Sequence, residues 1–352
     1  MYQFIPAIRH GVNEQKALNK LSQELSQKSG QQASNKVKPL LEIVHNDDLN
    51  NIAHYTSEFD EVFVDFPRYL VDRENKHKDD VSDIISDYNN DPVKFFSKNS
   101  KLDYTPVISG SLDPISYSGF VQYIQSLQSD FNRICVRLFI PINTFTSSEE
   151  NELKSIISEL RDQDAVLADV VDVDQLSTAV RPNIDFIKSE IGNQDFYVFD
   201  VFEPRGEVNY NYGLVMGKHA NVDGVGDFSI EPRFPNDIPD AAFQNIPKRV
   251  RQYDSSSHSV STTEDSDHYV KAVDMMLKNN NLDINHCPAC EKLYNEYQTV
   301  KSNSSRKDLD AGFVKQMRMN HYTYSVLAEE FPDMTTAADA ASFDRNGYTD
   351  IS

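Results

Sequence analysis

Along the N-terminal part of the chain, one pattern recurs: a short apolar run that ends on a polar residue, followed by an amphipathic segment of helix length. Asp60 to Pro67, DEVFVDFP, shows it most plainly, with Val62, Phe63 and Val64 leading to Asp65 and a stop at Pro67. The pattern returns as KPLLEI with Glu42, YTPVIS with Ser109, ICVRLFI around Arg137, VLADVVD with Asp169, and FYVFDVFE with Asp200 and Glu203. YQFIPAIR, ending on Arg9, precedes them all. A buried strand that hands a polar residue to its C-terminal end and passes into a helix is the unit of a parallel β/α protein. Seven or eight such units in series predict a (β/α)8 TIM-like barrel, with any binding site at the strand tails.

The intervening segments supply the helices. Glu14 to Leu25, Asp47 to Phe59, Asp79 to Ser97 (broken near Pro92), Tyr117 to Phe131 and Gln175 to Ile191 carry apolar residues at helical spacing. Ser147-Ser148-Glu149-Glu150 reads as a helix start ahead of Leu153, Ile156 and Ile157. Gly226 to Pro232 is the candidate eighth strand, and Gly224-Val225-Gly226-Asp227 is expected to turn the chain into it. That glycine pair lacks both the Gly-Lys-Ser/Thr of a phosphate loop and the dinucleotide-binding spacing. The expected organisation is a barrel over 1–245, a mostly helical C-terminal appendix over 246–334, and a mobile tail over 335–352. Within the appendix, Arg249 to Asp267 reads as a polar loop, Tyr269 to Leu277 as a short helix, and Lys315 to Phe331 as the last helix.

Lys and Arg total 34 against 55 for Asp and Glu, a net charge of −21. That sign disfavours a chain that coats nucleic acid, although a local basic pocket stays compatible with it. An acidic coat is also what adaptation to high salt produces. No stretch approaches the roughly 20 apolar residues of a membrane helix. The opening MYQFIPAIRHG lacks the charged head and long apolar run of a signal peptide. Three cysteines, two of them in one CxxC, make no disulfide framework. A cytoplasmic protein is expected.

Two constellations carry chemistry. The strand-tail set is Arg9, Glu42, Asp65, Arg137, Asp169, Asp200 and Glu203, which a closed barrel gathers at one mouth. Such carboxylates suit a divalent metal, or an acid/base pair beside a phosphorylated substrate with the arginines as phosphate forks. The alternative is a buried ion-pair network that only closes the barrel. The second constellation is Cys287-Pro288-Ala289-Cys290, half of a tetrahedral zinc site that His286 and His321 would complete. The same pair at a helix start also fits a redox role, or two reduced cysteines with neither. Arg318 and His321, three apart on one helix, are expected to face the strand tails, with His321 near Asp254 or His258. No nucleophile elbow, HExxH or EF-hand loop is present.

Several stretches together resemble the Beta protein family of bacteria, archaea and their viruses. They are FIPAIRHGVNEQKAL at the start, PLLEI at Pro39 to Ile43, FVDFP at Phe63 to Pro67, PVI at Pro106 to Ile108, VGDFSIEP at Val225 to Pro232 and RMNHYTYSV at Arg318 to Val326. The resemblance implies a barrel-like β/α fold and a setting in virus-host conflict, and it brings no activity with it. The chain departs from the family pattern at His321-Tyr322, where the family has a histidine pair, and in having no tryptophan.

Two functions follow as expectations. One is a small ligand, phosphorylated or metal-bound, held at the barrel mouth by an enzyme or sensor. The other is a non-enzymatic module of a phage-defence operon that docks a protein partner. A nucleic-acid role is disfavoured by the charge, and a membrane role by the absence of an apolar span.

Overall fold

The computed structural model describes residues 3–9, 16–17, 36–45, 52, 59–141, 143–170, 180–200, 222–228, 233–234, 247–254, 259–303 and 305–330. The chain forms two compact units, Met1–Glu14 with Ser34–Asp240, and Gln15–Ala33 with Ala241–Ser352. The expected first helix falls outside the described residues except for 16–17, and the expected tail falls outside them entirely.

The first unit is a closed barrel of eight parallel strands. They are β1 (Gln3–Arg9), β2 (Leu40–Glu42), β3 (Phe63–Asp65), β4 (Thr105–Ser109), β7 (Cys135–Ile140), β8 (Ala165–Val170), β9 (Asp195–Phe199) and β10 (Gly224–Asp227). Each pairs with the next in that order, and β10 closes on β1 with Gln3 opposite Gly224 and Ile5 opposite Gly226. A small antiparallel hairpin, β5 (Ser111–Leu112) and β6 (Ile115–Ser116), follows β4. The helices are α1 (Lys78–Asp87), α2 (Pro92–Lys98), α3 (Phe120–Asp130), α4 (Ser147–Ser158) and α5 (Val180–Glu190).

Strand periodicity explains what fills the barrel. Ile5, Ala7, Leu40, Phe63, Val107, Cys135, Leu167, Tyr197, Phe199 and Phe228 form one buried apolar cluster. Alternate strand residues share a face, so a step of two from this layer reaches Arg9, Glu42, Asp65, Ser109, Arg137 and Asp169. The strand tails therefore carry their polar groups inward, above an apolar floor.

Local chemistry sets the helix ends. Asn89 and Asn90 take positive φ (53° and 55°), Asp91 caps α2 by accepting the Val93 N–H at 3.0 Å, and Pro92 opens it. The break expected near Pro92 is thus built by four residues in succession. α4 starts at Ser147, the first residue of the Ser-Ser-Glu-Glu stretch. Thr146 is the cap, and Glu149 returns a bond to the Thr146 backbone, because a capping box needs its acid at the third helical position.

Gly224 and Gly226 do not form the turn expected of them; both lie within β10. A Cβ on Gly226 would stand 2.5 Å from the Ile5 carbonyl oxygen and 2.6 Å from Phe199 Cδ2. Only glycine lets this strand approach its neighbour so closely.

The second unit contains β11 (Lys248–Asp254), β12 (Ser259–Asp265), α6 (Tyr269–Lys278), α7 (Pro288–Ser302) and α8 (Ala311–Glu330). The stretch read as a polar loop over Arg249 to Asp267 is largely an antiparallel hairpin, with Lys248 opposite Asp265 and Asp254 opposite Ser259. Its Ser/Thr/Asp content hid the alternation: Val250, Val260 and Thr263 are buried while their neighbours are partly or fully exposed. The Thr263 hydroxyl donates to the Ala272 carbonyl at 2.7 Å and so joins hairpin to helix. Val250, Ala272, Val273, Met276, Leu293, Tyr297, Val314 and Met317 belong to this unit's own core. No helix among the described residues is long and apolar enough to cross a membrane.

Candidate functional site

Five of the seven strand-tail residues meet as one buried charge network. Arg137, wholly buried, donates from Nη1 to Glu42 Oε1 (2.7 Å) and Asp65 Oδ2 (2.6 Å), and from Nε to Asp169 Oδ2 (2.7 Å). Arg9 donates from Nε to Glu42 Oε2 at 2.6 Å and from Nη2 to the Tyr69 hydroxyl at 3.1 Å. Tyr69 in turn donates to Glu42 Oε1. The Ser109 hydroxyl donates to Asp65 Oδ1 at 2.8 Å. Arg233 forks Asp169 with both terminal nitrogens, Nη1 at 2.7 Å, and reaches the Val170 carbonyl at 3.1 Å.

Every oxygen of Glu42, Asp65 and Asp169 therefore accepts at least one hydrogen bond from protein. Arginines occupy the place that a divalent metal on these carboxylates would need. Asp200 is buried at the tail of β9, where its backbone N–H donates to the Gly226 carbonyl at 3.0 Å. Glu203 lies outside the described residues.

One donor in the network stays unused. Arg137 Nη2 is buried and has no hydrogen-bond partner among the described residues. Rings surround the guanidinium instead, with Tyr69 at 4.8 Å, Phe199 at 5.1 Å and Phe139 at 5.7 Å from its central carbon. Cation–π attraction stabilises the charge there but does not satisfy a directed N–H.

The network splits its carboxylates. Burial alone would raise the Glu42 pKa, but Arg9, Arg137 and the Tyr69 hydroxyl outweigh it and bring it down to about 2. Burial dominates at Asp65, helped by the Glu42 charge, and lifts it to about 6 despite Arg137. Burial works against the charge on Arg137 too, yet Asp169, Tyr69, Glu42 and Asp65 hold its pKa well above the usual guanidinium value. Of Glu42 and Asp65, Asp65 is thus the one that exchanges a proton closer to neutral pH.

Sequence reasoning missed Tyr69 and Arg233. Both lie on connections, where no strand period marks an inward side chain. Arg233 had one available signal, its place just after the tail of the last strand.

In the second unit, Cys287, Cys290 and His321 form a buried group whose ligand atoms lie within 4.8 Å of one another. The sulfurs are 3.4 Å apart, and His321 Nδ1 is 3.5 Å from Cys287 Sγ and 3.2 Å from Cys290 Sγ. Ligands at ordinary Zn–S and Zn–N lengths on a tetrahedron stand ~3.8 Å apart for two sulfurs and ~3.5 Å for sulfur and nitrogen. The three atoms are within a few tenths of an ångström of that pattern, so the group is able to hold a metal.

Each ligand is positioned locally. Cys287 caps α7, with Pro288 opening the helix, so Cys290 returns on the same turn, and its N–H points at Cys287 Sγ (3.4 Å). His321 comes from α8, with Nε2 2.9 Å from the Tyr253 carbonyl of β11. The Tyr253 N–H is also 3.1 Å from that Nε2; with a metal on Nδ1 the ring proton would sit on Nε2 and donate to the carbonyl, the usual outer partner of a metal-bound imidazole. Burial opposes ionisation of Cys287, but the Cys290 thiol and the His321 charge outweigh it and lower its pKa.

His286 is not in this group. Its Nε2 pairs with Ser325 Oγ at 2.9 Å, one turn beyond His321 on α8. Within the second unit, the cysteines and Tyr253 engage both ring nitrogens of His321. Asp254 is exposed on β11, and His258 lies outside the described residues. Arg318 and His321 do share a face, lining one small pocket with Met317 and Leu293.

No protein-family model and no curated protein matches the chain.

Proposed function

We propose that the barrel mouth binds a small polar ligand, phosphorylated or otherwise rich in acceptor oxygens, which takes the free donor of Arg137. The observation that carries this reading is the buried, unbonded Arg137 Nη2 among arginines whose other donors are bound to carboxylates. A buried N–H without a partner costs about 1–3 kcal/mol, and a ligand oxygen that accepts it recovers that cost. Asp65, titrating at about 6, supplies a proton-exchanging group on the same guanidinium. The location agrees with the rule that β/α barrels bind at their strand tails.

In the second unit, Cys287, Cys290 and His321 hold zinc, which two thiolates and an imidazole suit better than a hard cation. A bound zinc would tie α7 to α8 and, through the His321 bond to Tyr253, to the hairpin.

A thermal-shift panel of sugar phosphates, nucleotides and inorganic phosphate tests the mouth. A true ligand at a hundredfold excess over Kd stabilises by about 2.7 kcal/mol, a shift on the order of 5–10 °C for a unit of this size. The shift should vanish in Arg137→Lys, which keeps the charge but lacks Nη2. A shift that survives in this variant, or a panel without any shift, counts against the reading. Metal analysis of purified wild type and Cys290→Ser tests the zinc: one equivalent in the first and none in the second.

A further inference from the structure

A second set of metal-ligating side chains stands apart from both sites. His45 follows β2 by three residues, and His77 and Asp80 sit at the head of α1, in the connection that leaves β3. One nitrogen from each imidazole and one Asp80 oxygen lie within 4.8 Å of one another. His45 Nδ1 is 3.5 Å from Asp80 Oδ2, and the two rings meet edge-on at 76° with centroids 6.0 Å apart.

The surrounding fold brings these residues together. Val44 and Val81, next in sequence to His45 and Asp80, are packed into one apolar cluster with Tyr69 and Leu70. Asn75 pins the loop before α1: its amide donates to the Leu70 carbonyl (2.6 Å) and the Arg73 carbonyl (2.8 Å), and its oxygen accepts the His77 N–H (2.9 Å). His77 is then fixed as the residue before α1, with its carbonyl accepting the Val81 N–H at 3.0 Å. Asp80, three residues on, returns to the same side of the first turn.

The His77 imidazole is the second observation. It is 93% buried, and among the described residues its ring makes no hydrogen bond. Its ring nitrogens are not sealed from solvent, so one of them is open to an ion that His45 and Asp80 share.

We propose that His45, His77 and Asp80 hold a first-row divalent cation of the Mn2+ or Fe2+ kind on the strand-tail side of the barrel. Two imidazoles and one carboxylate, with the remaining positions open, are the ligand set that such ions take. Ligands at ordinary bond lengths stand ~3.0–3.5 Å apart, so the set must close by about 1 Å. The His45 and Asp80 side chains, 41% and 50% exposed, have room to make that adjustment. The site goes beyond the ligand reading of the mouth and does not depend on it, since a chain that binds Mn2+ but no compound from the panel would keep the metal site and lose the other.

The test is Mn2+ binding to the full-length, chelator-stripped chain, followed by electron paramagnetic resonance and water-proton relaxation. Wild type and Cys287→Ser should each bind one Mn2+, because thiolates do not select this ion. Asp80→Asn, alone and with His45→Gln, should weaken binding about tenfold or more at an unchanged melting temperature. Both substituted groups are half-exposed, and Asp80→Asn alone provides the readout should the double variant unfold. No Mn2+ bound to wild type, or undiminished affinity in the Asp80→Asn protein, overturns the proposal. So does loss of binding in Cys287→Ser, which would put the ion at the cysteines.

Discussion

Replacing Arg137 with methionine perturbs the mouth in a way whose cost can be located on one residue. Glu42 would keep Arg9 and the Tyr69 hydroxyl, and Asp169 would keep Arg233. Asp65 would keep only the Ser109 hydroxyl, because Arg137 is its one cationic partner among the described residues. Removing one member of a buried ion pair typically costs about 3–5 kcal/mol, so the melting temperature should fall by about 6–20 °C at pH 8. The deficit should be pH-dependent. Asp65 in the folded wild type titrates at about 6, above the ordinary carboxylate, so its contribution to stability is greatest in acid and is lost as pH rises through that value. Without Arg137 its pKa rises further, and the deficit should shrink at pH 5 and grow toward pH 8. Urea unfolding by circular dichroism at both pH values measures this. Asp65→Asn added to Arg137→Met should recover part of the loss, with a coupling of about 0.5–3 kcal/mol. A double variant whose loss equals the two single losses added together would refute the assignment of the cost to Asp65.

Asp65→Asn alone should flatten the fall in stability between about pH 4 and pH 6, a contribution on the order of 3 kcal/mol in wild type, as read from melting across that range. Gly226→Ala should destabilise the barrel by about 1–3 kcal/mol, since the added methyl meets the Ile5 carbonyl and Phe199; a neutral result in urea unfolding would show that β10 can move aside. Thr146→Ala should cost about 1 kcal/mol through loss of the α4 cap, and Thr146→Ser should restore most of it.

The barrel was legible because two periodicities coincide in each unit. Leu40-Glu42, Phe63-Asp65 and Leu167-Asp169 each pair a floor residue with a tail residue two positions on, and helices follow β3 and β8. The chemistry of the mouth was less legible. Composition shows arginines and carboxylates at strand tails but not which oxygen receives which N–H, and that allocation sets the arginines where a metal was expected. Tyr69 and Arg233 enter from connections and leave no periodic trace. The CxxC pointed to Cys287 and Cys290 directly, and His321 was named with it. His286 was named for its position beside Cys287, whereas its ring turns to Ser325. The hairpin at β11 and β12 was lost to its Ser/Thr content. His45 and His77 drew no notice because they belong to different β/α connections, and only the fold brings their rings together.

The most direct test of the ligand reading observes the Arg137 guanidinium itself. Side-chain nitrogen-15 spectra of arginine-labelled protein, assigned by the signal missing from Arg137→Lys, report whether its Nη2 protons are bonded. The account predicts that a compound which stabilises the barrel also shifts this resonance and slows exchange of its Nη2 protons. A stabilising compound that leaves the Arg137 signal unmoved would contradict it.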